Sequence, residues 1–468
     1  MKMTKVAFIG AGSVVFAKNV IADMFWHDAF KCCELALVDT DEDRLQTAAG
    51  LAKSLSKTLD AGATITASTD RRAALDGADF VINTVGVGGF DATRIDHEIP
   101  QAFGMHQTIA DTLGPGGVFR SARSVPVLLD ICSEMSTLCP DALLLNYTNP
   151  MATHCLAVAR ATKINCVGLC HGVRNTATAM RMYVGMMDRD PDEIWGHFDL
   201  PPDSQERIDQ WLQWFALGQD PDLNYTCAGI NHMAYFMDFR SGTNDLYPAL
   251  HAMLDQPHME RLDPIRFEMF RRLGYFMTET SWHTAEYLPY FLKDEAETQR
   301  RHVVISSYLT TCAQQDAGYH AMKKQVQADQ PLVDANYQLS IEYAAPIMNA
   351  VLTNEPFVFN GNVYNEGAHL ISNVQADSCV EVPCTASRQG IRPTAVGDLP
   401  PQCAALIRTN INVQNLAVRG ILEGDKQQIR QAIMLDPNTA ASLTLPKIWE
   451  MCDALFDAHR DLLPDGLN

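Results

Sequence analysis

A chain of 468 residues, 47% of them hydrophobic, is long enough to bury a substantial core and to form two closely packed domains. Its 56 acidic residues against 36 basic ones leave a net charge of -20, which argues against nucleic acid or an anionic membrane as partner and otherwise reads as a solvated acidic surface. No apolar run approaches a membrane span, and the first residues lack the basic, apolar and small-residue series of a secretion signal, so the expected location is the cytoplasm. The 13 cysteines are scattered, with Cys32 and Cys33 adjacent, as suits reduced thiols rather than a disulfide framework.

The chain begins with an apolar strand, Val6-Ile9, running into the glycine turn Gly10-Ala11-Gly12-Ser13, and an acid follows at Asp39 after the run Leu35-Val38. Gly10 permits a tight turn, Gly12 lets backbone amides approach a pyrophosphate, and the helix opening near Ser13 presents its positive end to that charge. Asp39 would take the adenosine ribose hydroxyls and favour NAD over its 2'-phosphorylated form. The third glycine of the usual fingerprint is missing, with Phe16 in its region. Further apolar runs at Ile65-Ala67, Phe80-Val85, Leu143-Asn146 and Cys166-Leu169 alternate with helical patterns such as Asp41-Leu59 and Ser121-Leu138. The alternation predicts an α/β fold with an N-terminal Rossmann-type, doubly wound parallel sheet over residues 1–175. Ligands then belong at the carboxyl ends of the strands. There the sequence places Gly86-Val87-Gly88-Gly89, Asn146-Tyr147-Thr148-Asn149-Pro150 and Cys170-His171-Gly172-Val173.

From 176 to 468 the pattern predicts a mixed α+β domain fused to the first. Residues 187–224, polar and Asp/Pro-rich with Trp195, Trp211 and Trp214, read as an insertion on the surface or at a subunit contact. A strand is expected over Tyr225–Phe239, helices around Pro264–Leu273 and Arg300–Gln325, strands at Phe357–Val363 and Cys379–Cys384, and helices from Pro401 onward.

Cys170 and His171 end one strand, and His232 stands in Cys227-Ala228-Gly229-Ile230-Asn231-His232-Met233. A thiolate with an imidazole suits a divalent ion completed by substrate oxygens and water. By spacing alone, the same pair reads as a buried cysteine and a hydrogen-bonded core histidine. Asp111 opens a Gly114-Pro115-Gly116-Gly117 turn that needs no function, yet brings backbone towards the dinucleotide crevice.

The ordered series Gly10-Ala11-Gly12-Ser13, Gln107 to Gly117, Asn146 to Met151, Cys170-His171-Gly172-Val173, Ala228 to Met233, Leu273 to Glu279, His283 to Tyr287, Gly361 to Asn365 and Thr409 to Gln414 resembles glycoside hydrolase family four, nearest to its bacterial melibiase-type α-galactosidases. The resemblance implies a cytoplasmic homodimer or homotetramer that uses NAD and Mn2+ or another divalent metal. It also implies hydrolysis of α-galactosides such as melibiose by oxidation at C3, proton loss at C2, elimination of the C1 substituent, water addition and return of the hydride. Gly10, Gly12, Ser13 and Asp39 fall on cofactor positions, Cys170 and His232 on the metal ligands, and Asn149 on a substrate-binding asparagine. His171 stands where relatives place a general acid. Asp111, Glu279 and His283 lie in motifs that could supply the C2 base, while Ser281 occupies a site where some members carry an acid. Glycine at 172, where melibiase-type members usually have serine, resembles the α-glucuronidases of the family and keeps α-glucuronidase or α-galacturonidase as an alternative. A uronate would need a cationic clamp from Arg94, Arg120, Arg123 or Arg174. Phosphosugar cleavage comes third. Outside the family, an ordinary NAD-dependent sugar dehydrogenase would share the Gly10 to Asp39 pattern, and a non-catalytic NAD-binding regulator would retain the first domain.

Overall fold

The computed structural model describes residues 3–201, 204–334, 336–365 and 369–468. The first apolar runs form β1 (Lys5–Ile9), β2 (Glu34–Val38), β3 (Thr64–Ser68), β4 (Phe80–Asn83), β5 (Leu143–Asn146) and β6 (Asn165–Gly168), all parallel. β1, β2, β4 and β5 are read almost residue for residue because a parallel strand covered on both faces is apolar throughout, whereas β3 lies exposed at the sheet edge. Alternate side chains serve opposite faces: Val6, Phe8, Leu35 and Leu37 enter the large core, whereas Ala7, Ile9, Ala36 and Val38 enter a smaller core beneath helix Gly114–Leu138.

The later strands are β7 (Leu223–Ile230), β8 (Met233–Ser241), β9 (Asn244–Asp245), β10 (Phe357–Tyr364), β11 (Cys379–Ser387) and β12 (Gly390–Pro393). They extend the same sheet, in the order β3-β2-β1-β4-β5-β6-β10-β11-β7-β8-β9, with β12 beside β11. The junctions are antiparallel, Asn362 against Gly168 and Glu381 against Gly229. The two portions expected from the sequence therefore share one sheet.

Three local differences have physical causes. The expected strand Tyr225–Phe239 is a hairpin, β7 and β8, whose turn Asn231-His232 carries neither glycine nor proline as a signal. Helix Gly114–Leu138 starts at the glycine-rich turn, seven residues before the expected Ser121, because Pro115 is compatible with a first turn and a Cβ at Gly117 would lie 2.8 Å from the Thr112 carbonyl oxygen. Within 187–224 the chain forms helices Pro191–Asp199 and Gln205–Ala216, and buries Ile194 and Trp214 in a third core with Tyr183, Phe236, Phe267 and Phe270. Among the described residues no helix is long and apolar enough to cross a membrane.

Candidate active site

The carboxyl ends of β1, β2, β4, β5 and β6 open on one cavity of about 1360 Å³, lined at one end by Gly10, Gly12, Ser13 and Asp39 and at the other by Asp111, Asn149, His171 and Glu342. Gly10 has φ +86, and its amide and that of Ala11 bond the Val38 carbonyl at 2.9 and 3.0 Å, which folds the turn over the end of β2. The Gly12 amide donates to Asp39 Oδ2 at 2.8 Å, and Asp41 N donates to Oδ1 at 3.0 Å. A Cβ at Gly12 would sit 2.5 Å from Asp39 Oδ2, so the glycine is required for this approach. Ser13 caps helix Val14–Trp26 through its backbone, with no side-chain cap bond. Phe16, in place of the third fingerprint glycine, packs edge-on against Tyr147 at 4.7 Å. The cradle, the acid and the helix end fit a dinucleotide.

At the other end, the Asn149 amide donates to Asp111 Oδ2 at 2.9 Å, and the Thr112 hydroxyl donates to Asp111 Oδ1 at 2.7 Å. The Thr112 oxygen also lies 3.1 Å from His232 Nδ1. Since a carboxylate can only accept, the Thr112 proton belongs to Asp111 and the Thr112 oxygen accepts from His232 Nδ1-H. That tautomer leaves the lone pair on Nε2, as a metal-ligating imidazole needs. Ligand atoms of Cys170, His232 and Glu279 lie within 4.8 Å of one another, as do those of Asp111, His232 and His283. The thiolate, imidazole and carboxylate donors fit a divalent transition ion.

Burial pushes His232 down to about 4, helped by the neighbouring His283, so its imidazole is neutral. Burial raises Asp111 and Glu279, but the surrounding histidines, His283 first, outweigh it and hold both below the usual carboxylate range. His171 is different. Its side chain is 41% exposed and Nδ1 lies 3.0 Å from Glu342 Oε1; burial lowers its pKa, and the Glu342 bond and charge more than reverse that. His283 lies with its ring 4.7 Å from that of His232, Nε2 4.0 Å from Asp111 Oδ1 and Nδ1 3.0 Å from Thr280 Oγ1. Of the expected site residues, Gly10, Gly12, Ser13, Asp39, Asp111, Asn149 and His171 line the cavity, Cys170, His232, Glu279 and His283 cluster around Asp111 without lining the cavity, and Ser281 turns away and bonds Asp263.

Two acids were not singled out in the sequence. Glu342 precedes helix Ala344–Thr353, and no local pattern links it to His171. Glu286 accepts from Thr108 N at 2.8 Å, Ile109 N at 2.9 Å, Ala110 N at 3.1 Å and Thr108 Oγ1 at 3.0 Å, and so holds the loop that presents Asp111. Its place in His283-Thr284-Ala285-Glu286-Tyr287 was the available signal.

The description "Family 4 glycosyl hydrolase" matches residues 5–186, and "Family 4 glycosyl hydrolase C-terminal domain" matches 227–439. The chain is 40% identical to an α-galactosidase of Bacillus subtilis (strain 168), covering 99% of this chain and 100% of that protein. It is 30% identical to an α-galactosidase of Rhizobium meliloti (strain 1021), covering 99% and 90%. A 6-phospho-α-glucosidase from gut microorganisms, solved with NAD and Mn2+, shares the fold with a TM-score of 0.76 at 20% identity over 99% of both chains. The matched segments span both sides of the crevice, and the chain belongs to family 4 of the glycosyl hydrolases.

Proposed function

We propose that the enzyme hydrolyses α-galactosides such as melibiose, with NAD and a divalent ion, Mn2+ by preference, as resident cofactors. The observation that carries this is the single cavity joining the Gly10–Asp39 cradle to Asn149 and His171, beside the Cys170–His232 pair. The α-galactosidase likeness of two full-length relatives supports the sugar. Gly10, Gly12, Ser13 and Asp39 would hold the dinucleotide, and Cys170 and His232 the ion. When bound, NAD supplies a reversible hydride acceptor for sugar C3 and the ion supplies Lewis acidity at the O2 and O3 oxygens.

The protein's own groups divide the remaining work. Asn149, oriented by Asp111, hydrogen-bonds the sugar. His171 donates a proton to the departing C1 oxygen, with Glu342 fixing Nδ1 so that Nε2-H faces the cavity. His283 Nε2 removes the C2 proton. Asp111 is the weaker candidate for that step because both of its oxygens already accept hydrogen bonds, and Glu279 faces the Cys170 sulfur.

An α-galacturonide or α-glucuronide is the second reading, favoured by Arg120. Arg94 pairs with Glu98, Arg123 is buried on Asp96 and Arg174 is exposed, whereas Arg120 lines the cavity with no carboxylate in ion-pair range among the described residues. A cytoplasmic homodimer or homotetramer belongs to the same proposal, with the exposed Ile208 and Leu212 of helix Gln205–Ala216 as one apolar contact surface. The test is turnover of nitrophenyl α-galactoside, α-glucoside and α-glucuronide by reduced protein with NAD and Mn2+, run in heavy water. Sugar that gains deuterium at C2 is expected. Full activity after exhaustive NAD removal, with no deuterium in the product, refutes the proposal.

A further inference from the structure

We infer that Glu279 is a third protein ligand to the ion held by Cys170 and His232, and that the absence of a side chain at Gly172 is what admits it. The inference rests on the metal reading of Cys170 and His232.

Glu279 follows β8's neighbour Met277 and precedes helix Ser281–Tyr287, and its carboxylate reaches back to the first turn of helix Gly172–Gly185. A Cβ at Gly172 would lie 2.8 Å from Glu279 Cδ and closer still to Oε1. The carboxylate therefore occupies the volume that any other residue at 172 would fill. Its side chain is 15% exposed, and its nearest polar side-chain neighbours are the Cys170 thiol, 3.8 Å from Oε1, and His283 Nδ1, 3.8 Å from Oε2. Among the described residues no N-H or O-H donor bonds it at ordinary length. Glu286, seven residues on, takes three backbone amides and a hydroxyl, so a carboxylate of this segment is satisfied where its task is structural. A largely buried carboxylate whose one side-chain donor among the described residues is a thiol at 3.8 Å is suited to a cation.

The alternative set of Asp111, His232 and His283 is equally compact, but Asp111 spends both oxygens on Thr112 and Asn149. Charge favours Glu279 as well. One thiolate and one carboxylate neutralise a dication, with the Cys170 proton released to solvent, whereas Cys170 and neutral His232 alone would leave a buried positive charge. Adding a carboxylate oxygen to sulfur and nitrogen donors also suits Mn2+ better than a softer ion.

The experiment is a Mn2+ titration of the full-length, chelator-stripped protein, read as the free-ion signal in electron paramagnetic resonance and requiring no turnover. Glu279→Gln, which preserves volume, is expected to weaken binding on the order of 10- to 100-fold. Gly172→Ala should weaken it similarly by expelling the carboxylate, and the double variant should be no weaker than Glu279→Gln alone. Wild-type affinity in Glu279→Gln, with Cys170→Ser defective, overturns the inference and leaves the Cys170–His232 reading standing. Wild-type affinity in Cys170→Ser and His232→Ala overturns that reading itself. Losses that multiply in the double variant overturn the role given to Gly172. Should Gly172→Ala not fold, Glu279→Gln alone decides the ligand.

Discussion

Replacing Gly12 by alanine tests the cofactor end of the cavity in isolation from the chemistry. The new methyl would lie 2.5 Å from Asp39 Oδ2 and 2.8 Å from Arg44 Cβ, so the Asp39 carboxylate has to leave the Gly12 amide that it accepts at 2.8 Å. The displaced carboxylate no longer stands where the ribose hydroxyls would find it. A hydrogen bond to a charged group contributes about 1.5–3 kcal/mol. At about 1.4 kcal/mol per factor of ten, its loss from the ribose weakens NAD binding roughly 10- to 100-fold. Calorimetric titration of the purified protein with NAD measures this directly, and a thermal melt separates it from loss of fold. Asp39→Asn, which keeps the shape and removes the charge, should reproduce most of the effect without a steric clash. A folded Gly12→Ala protein that binds NAD within twofold of the wild type would refute the argument that this turn and Asp39 form the ribose site.

Glu342→Gln should move the alkaline limb of the kcat/KM profile to lower pH, because Glu342 holds the His171 pKa above its ordinary value and a proton donor must remain protonated; an unmoved limb would remove His171 from that role. Chelation should abolish turnover, with Mn2+ restoring it, and persistence of activity in excess chelator would exclude the proposed ion. His283→Ala is expected to lower kcat at least 100-fold while the protein still binds NAD, in line with a positioned base; retention of kcat returns the base role to Asp111. Arg123→Met should destabilise the fold by about 3–5 kcal/mol in chemical denaturation, since it removes the buried guanidinium that meets Asp96 at 2.7 Å and leaves that carboxylate with only His459, at 2.8 Å, as its side-chain partner. A loss below 1 kcal/mol would contradict the buried pairing.

The Rossmann half was legible because its information is local. Strands buried on both faces are apolar without interruption, and the residues that end them, Gly10, Asp39, Asn149 and Cys170, stand out against that background. The second half was less legible for equally physical reasons. The turn at Asn231-His232 has no conventional breaker, so a hairpin reads as one strand. Register across a sheet leaves no trace in either strand alone, so the pairing of β10 with β6 was not foreseeable. The Asp111 turn reads as a loop until the Thr112 backbone, against which Gly117 packs, is known. Glu342 and His171 are 171 positions apart, and only folding reveals that they are partners.

Helix Ser307–Gln327 supplies one wall of the large cavity through Tyr308, Cys312, Asp316 and Tyr319. It is tied at its start to the Thr108 carbonyl by Tyr308 N at 3.2 Å, and further along to the first domain by Asp316 on Arg44 at 3.1 Å and Lys323 on Asp43 at 2.6 Å. A dehydrogenase must release its nucleotide after every turnover, but a catalyst that regenerates the oxidised form in place has no such need. A wall clasped at both ends suits the second case: the dinucleotide would stay through many turnovers as a tenant, while sugars come and go at the far end of the same cavity.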